Sequence, residues 1–301
     1  MVDFNTLLKR LENCDICPQN CHINRKFKLG YCKVNDKIKI NLWQKHFGEE
    51  PLISGTNGSG TIFFSGCNLS CVYCQNYKIS QYAFGKDYTI DEVSQIMLNL
   101  QTENVHNINL VTPTHFSVQL LLSIKNALEK GLNIPIVWNT SSYEKVEILQ
   151  KLNGYVDIYL ADIRYFDFKN SLRYSKVKDY PIISQQAILE MYRQVGDIIL
   201  DKNGIAQSGL LIRILVLPNS SNDIENILKW IKTNIGNKIY ISLMSQYYPT
   251  FKADKFKELD RGLNINEYEK AKEILYKYGF ENGFLQKPNQ TPDWTPKFRE
   301  N

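Results

Sequence analysis

Thr61-Ile62-Phe63-Phe64-Ser65-Gly66-Cys67-Asn68-Leu69-Ser70-Cys71-Val72-Tyr73-Cys74 joins a short apolar run to three cysteines spaced CxxxCxxC. The run Thr61–Ser65 is aromatic and β-branched, the composition of a buried strand. Three thiolates at this spacing can wrap a cubane iron–sulfur cluster and leave one iron without a protein ligand. A zinc ion would need a fourth ligand, and the neighbouring Asn68, Gln75 and Asn76 are poor ones.

Outward from this stretch, apolar β-rich runs alternate with helical periods. Strands are predicted at Thr61–Ser65, Ile108–Thr112, Ile134–Trp138, Asp157–Ala161, Leu210–Leu217 and Lys238–Leu243. Helices are predicted at Ile90–Leu100, Ser117–Lys130, Tyr143–Leu152, Gln185–Val195, Asp223–Ile235 and Glu267–Tyr278. Thr89 with Glu92 reads as a capping box, which satisfies amide groups left free at a helix start. Six βα units in succession predict an α/β fold. It is a partial (β/α)6 barrel with a parallel sheet, outer helices and one open side, and Gly283–Gln286 is a candidate seventh strand. Chemistry in such folds collects at the carboxyl ends of the strands. That rule singles out Cys67, then Thr112-Pro113-Thr114-His115, Asn139, Asp162-Ile163-Arg164 and Ser245-Gln246-Tyr247.

The net charge of +5 comes from 36 basic and 31 acidic residues without a run of like charge, so a nucleic-acid footprint is disfavoured. Met1–Glu12 reads as an amphipathic helix with Phe4, Leu7, Leu8 and Leu11 on one face, not a signal peptide. No apolar stretch is long enough to span a membrane. All seven cysteines lie in the first 74 residues, which argues against a disulfide framework and for metal ligation in a reducing, cytoplasmic setting.

Two divisions follow: residues 1–60, a four-cysteine metal-binding segment, and residues 61–301, the barrel. Cys14, Cys17, Cys21 and Cys32 supply four thiolates, a full set for zinc, a single iron or an auxiliary iron–sulfur cluster, and their number leaves the metal open. Gly55–Gly60 lacks the Lys-Ser/Thr ending of a phosphate loop and precedes a strand, so it is read as a glycine turn packed close to the cluster. His115 suits either a proton role or a satisfied loop position. His46, with Glu49 and Glu50, has no assignable role, and His22 and His106 read as structural.

CxxxCxxC after the first strand of such a barrel resembles the radical SAM superfamily. Residues His46–Ser80, Asn109–His115, Gln186–Gly196, Arg213–Asn219 and Asn282–Gln286 resemble its PflX-like subfamily, similar to pyruvate formate-lyase activating enzymes. The resemblance implies a [4Fe-4S] cluster on Cys67, Cys71 and Cys74. It implies reductive cleavage of S-adenosyl-L-methionine to a 5′-deoxyadenosyl radical that abstracts hydrogen. A flavodoxin or ferredoxin is the implied electron donor, and a protein such as a glycyl radical enzyme the implied substrate, with a small metabolite or RNA as the alternative. A non-enzymatic four-cysteine module that binds nucleic acid is a further alternative. By the same resemblance Tyr73 packs near the adenine, Asn139 and Ser141 approach the sulfonium and ribose, and Asp162 and Arg164 occupy an Asp-x-Lys position. Arg213 would meet the methionyl carboxylate, for which a guanidinium fork is suited. Thr112-Pro113-Thr114 stands where activating enzymes carry Gly-Gly-Glu, leaving Thr112 or Thr114 as heir to the methionyl ammonium contact, with Thr114 the favoured of the two.

Overall fold

The computed structural model of the chain describes residues 3–287 and 296–299. Met1 and Val2 of the expected helix, and 288–295 and 300–301 of the expected barrel, lie outside them. The strands are β1 (Ile38–His46), β2 (Ser59–Phe64), β3 (Lys86–Tyr88), β4 (Ile108–Val111), β5 (Ile136–Thr140), β6 (Ile158–Asp162), β7 (Ile199–Leu200), β8 (Ala206–Leu215), β9 (Tyr240–Met244) and β10 (Gly283–Leu285). They form one sheet in the order β10-β9-β8-β6-β5-β4-β2-β1-β3, with β7 paired to β8. Every pairing from β2 to β10 along that order is parallel. The order has two ends, β3 and β10, so the barrel is partial.

The six expected strands are β2, β4, β5, β6, β8 and β9, and β10 is the seventh. A Cβ on Gly283 would overlap the Ile241 carbonyl oxygen, so only glycine can start β10 against β9. Parallel strands covered on both faces are nearly continuous in burial, and β2 and β5 are buried at every position.

The six expected helices are present as Ile90–Thr102, Ser117–Glu129, Val146–Leu152, Tyr180–Val195, Ile224–Asn234 and Ile265–Lys277. The Thr89 and Glu92 capping box is made in both directions. Ser117–Glu129 buries Val118, Leu120, Leu121, Ile124 and Ala127 against the sheet, and each larger side chain contributes about 1.5–3 kcal/mol. A further helix, Phe168–Ser175, capped by Asp167, was not expected.

β1 extends the sheet to the amino-terminal side of residue 61, pairing antiparallel with β2 and β3. Its alternation of Ile38, Ile40 and Leu42 with Lys39 and Asn41 is a legible period of two; burial follows it through Ile40, after which a shift of register buries Asn41 and leaves Leu42 half-buried. At the amino terminus the helix is shorter than expected, Phe4–Lys9, and passes into a tighter turn at Arg10–Asn13 that buries Leu11. No helix among the described residues is long and apolar enough to cross a membrane.

Candidate active site

β2 ends at Phe64 and the chain turns through Gly66 into the three cysteines. Gly66 has φ +84°, and a Cβ there would overlap the Cys32 carbonyl oxygen and stand 2.9 Å from Val34. The turn therefore needs glycine both for its backbone and for the approach of the amino-terminal segment.

Cys67, Cys71, Cys74 and Tyr73 open on a cavity of about 520 Å³. Its walls carry Thr112, Asn139, Ser141, Asp162, Arg164 and Arg213, and its far side carries His46, Glu49 and Glu50. His46 pairs with Ser59 at the amino end of β2, whereas Cys67 follows the carboxyl end, so the cavity runs along the barrel interior. A hollow of about 570 Å³ between the amino-terminal helix and Tyr88–Ile90 touches no cysteine and is a surface depression.

Each sulfur on the cavity has a polar partner. The Leu69 amide donates to Cys67 Sγ at 3.4 Å. Ser175 Oγ lies 3.0 Å from Cys71 Sγ, and Ser80 Oγ lies 3.1 Å from Cys74 Sγ. Burial first, and the neighbouring Cys71 second, push the Cys67 thiol up to about 12 and the Cys74 thiol up to about 11. Arg164 opposes both rises. Three thiolates can share this wall only beside a positive centre, which is the fit expected of an iron cluster. Among the described residues no three His, Cys, Asp or Glu side chains are placed to hold a single metal ion, whereas in a cubane each thiolate binds a different iron.

Tyr73 is buried and its hydroxyl lies 2.6 Å from that of Tyr165, which lies 2.8 Å from Ser175 Oγ. The chain Tyr73–Tyr165–Ser175 thus ends on Cys71. Behind the wall sits a charged network. Arg213 donates to Asp162 at 2.9 Å, to Glu49 at 3.1 Å and to Asn139 Oδ1 at 2.5 Å. Arg164 donates to the other oxygen of Asp162 at 2.7 Å. Glu49 also accepts from Asn109 at 2.9 Å and Asn139 at 3.2 Å. Glu50 is buried and its carboxyl is held above the usual range, chiefly by desolvation, while Arg213 acts against the rise. Its Oε2 has no hydrogen-bond partner.

Of the residues expected near the cofactors, Tyr73, Thr112, Asn139, Ser141, Asp162 and Arg213 line the cavity. Thr112 takes φ +60°, and Ser141 Oγ has no partner. Thr114 is not on the cavity: its buried hydroxyl donates to Glu144 at 2.8 Å, beside Trp138 and Thr140, so packing consumes its polarity. Arg213 spends its fork on Glu49 and Asp162 rather than presenting it free.

His115 is fully buried, with Nε2 2.8 Å from the Ser65 carbonyl oxygen, and burial lowers its pKa to about 3. It is a buried loop histidine held at Nε2 by the Ser65 carbonyl, while its Nδ1 has no hydrogen-bond partner. The Gly55–Gly60 turn lies at the amino end of β2, against Lys45, Val105 and His106, not beside the cysteines; that expectation is corrected. His106 accepts from the Asn57 amide there at 3.0 Å, as a structural histidine does. Glu49 and Glu50, to which the sequence assigned no role, line the cavity, with Glu49 bonded to Arg213; their place in the His46–Pro51 stretch was the signal for them.

The family model for the radical SAM superfamily matches residues 61–231. A protein of Methanocaldococcus jannaschii described as uncharacterized protein MJ0674 is 33% identical over 281 residues, covering 90% of this chain and 76% of that one. A second from the same organism, uncharacterized protein MJ0808, is 23% identical over 260 residues, 79% of this chain and 71% of that one. A solved structure of TYW1 with a lysine-pyruvate adduct bound aligns with TM-score 0.47 and 12% identity over 74% of each chain. A match that begins at the strand before the three cysteines and takes in most of the parallel sheet, with a relative alike over nine-tenths of the chain, establishes that the chain belongs to the radical SAM superfamily.

Proposed function

We propose that this radical SAM enzyme is of the activating, PflX-like kind and abstracts hydrogen from a protein or peptide, a glycyl radical enzyme being the partner of choice. The superfamily brings a [4Fe-4S] cluster and S-adenosyl-L-methionine, whose reductive cleavage supplies the hydrogen-abstracting radical. Cys67, Cys71 and Cys74 are the proposed cluster ligands. The observation that supports this is their opening on one cavity with the Asp162, Arg164 and Arg213 network. Tyr73, Asn139 and Ser141 are the proposed contacts to the nucleoside, and Thr112, on the cavity wall, takes the ammonium role ahead of Thr114. Cys14, Cys17, Cys21 and Cys32 are the proposed second metal site. A reducing cytoplasm suits seven free cysteines, and a flavodoxin or ferredoxin is the donor this chemistry needs.

Anaerobically reconstituted protein given dithionite and S-adenosyl-L-methionine is expected to release 5′-deoxyadenosine and methionine. Absence of both from a cluster-loaded sample refutes the reading. A glycyl-radical signal on an added partner separates the protein substrate from others. The second reading, a small polar metabolite or RNA base, is favoured by Glu50 Oε2, an unpartnered acceptor at the end of the cavity away from the cysteines. Membership of an enzyme superfamily sets aside the non-enzymatic nucleic-acid module.

The Ser175 hydroxyl beside Cys71 stabilises extra negative charge on that sulfur, so it favours reduction. Ser175→Ala is expected to lower the midpoint potential by roughly 40 mV, equivalent to about 1 kcal/mol. Redox titration followed by electron paramagnetic resonance checks this, and an unchanged potential removes Ser175 from the role.

A further inference from the structure

Residues 14–37 contain no helix or strand, yet they are packed tightly enough to bury Cys14, Ile16, Cys17, Arg25, Cys32 and Val34. A structureless stretch of this length is held in place only when something ties it. Local backbone bonds bring its cysteines together. The Cys14 amide donates to the Ile23 carbonyl at 2.8 Å, and the His22 amide to the Cys14 carbonyl at 2.9 Å. The Tyr31 amide donates to Cys21 Sγ at 3.4 Å. A Cβ on Gly30 would touch both Cys32 Sγ, at 3.3 Å, and Cys21 Sγ, at 3.6 Å. The Asn20 amide donates to the Cys17 carbonyl at 3.1 Å, which turns the chain back between Cys17 and Cys21.

The same stretch grips the chain that carries the other three cysteines. Gln19 Nε2 donates to the Asn68 carbonyl at 2.8 Å, and the Tyr31 hydroxyl to Ser70 Oγ at 2.9 Å. The Cys32 carbonyl packs on Gly66. Tyr31 therefore contacts Cys21 with its backbone and the Cys67–Cys71 loop with its side chain.

We infer that Cys14, Cys17, Cys21 and Cys32 hold a thiolate-bound metal centre whose task is to clamp the Cys67–Cys71 loop through Gln19, Tyr31 and Cys32. The donor set fits: four sulfurs complete a tetrahedral ion or a fully ligated cluster and leave no open position, which suits a structural or electron-carrying centre rather than a substrate-binding one. Neither cysteine set stands in ion-holding geometry, so metal entry is expected to pull the sulfurs inward. The clamp function rests on Cys67, Cys71 and Cys74 being the radical-cluster ligands; the metal site does not.

The decisive sample is the full chain with Cys67→Ala, Cys71→Ala and Cys74→Ala, reconstituted anaerobically with iron, sulfide and zinc and then desalted. One metal centre per chain is expected to remain. Zinc alone in colourless protein identifies an ion, and iron with sulfide in brown protein identifies a cluster; either supports the site. No retained metal overturns it. Cys17→Ser in the otherwise intact chain should lose this centre and keep the radical cluster. If that variant does not fold, the triple-alanine chain still decides.

The clamp is tested by Gln19→Ala with Tyr31→Phe, which leaves every sulfur in place. Both metal contents should be retained, while the KM for S-adenosyl-L-methionine rises roughly fivefold and the resonance signal of the reduced radical cluster changes shape. Unchanged KM and signal overturn the clamp. Wild-type protein that holds the second metal but releases no 5′-deoxyadenosine would refute the enzymatic reading and leave this site standing.

Discussion

Cys71→Ala is expected to leave a folded chain whose release of 5′-deoxyadenosine falls to background. Cys71 is the middle of the three cysteines and the most buried of them, with Ser175 at 3.0 Å and, behind it, Tyr165 and Tyr73. Alanine removes one of three thiolates and leaves that hydroxyl chain directed at a methyl group. Because the sulfur already borders a cavity, the stability cost is about 1 kcal/mol, so loss of activity would report chemistry and not unfolding. Iron and sulfide content, product release by chromatography and far-ultraviolet circular dichroism together make the measurement. Full release from the variant would exclude Cys71 as a ligand.

Arg213→Met carries the largest expected effect on stability. The Arg213, Glu49 and Asp162 side chains are only 13%, 11% and 14% exposed. Removing the guanidinium leaves Glu49 with only the Asn109 and Asn139 amides and Asp162 with only Arg164, beside the buried Glu50. Breaking one partner of a buried pair typically costs about 3–5 kcal/mol. Arg213→Lys keeps the charge but cannot meet Glu49, Asp162 and Asn139 at once, so a smaller loss is expected.

The pH dependence has a definite sign. Burial already holds the Glu50 carboxyl above its ordinary range and Arg213 opposes that rise, so the methionine variant raises it further. The stabilisation it contributes is then present at low pH and lost as pH rises through the folded value. The gap from wild type should therefore be smaller at about pH 5 than at about pH 8, as read from urea unfolding midpoints. An equal gap at both would show that the carboxylates are relieved by other partners.

Much of the barrel was legible because its signals are local. Buried parallel strands are short apolar runs, and the cap made by Thr89 with Glu92 acts within a few residues. β1 is equally local, but its period of two is short: the register shifts between Ile40 and Leu42, and Trp43 interrupts the alternation. Thr114 illustrates the opposite case. Its place after β4 is read correctly from sequence, but whether its hydroxyl faces the cavity or Glu144 depends on how the next strand packs.

CxxxCxxC and the βα rhythm were sufficient to place three cysteines at the head of a partial barrel, since both spacing and periodicity are properties of neighbouring residues. Only the tertiary structure could bring Glu49 to Arg213, 164 positions apart, or seat the Cys32 carbonyl on Gly66. Burial makes such partners matter, because a charge or a backbone group taken out of water must be satisfied by whatever the fold puts beside it. That choice is made by packing across the whole chain, and no local pattern encodes it.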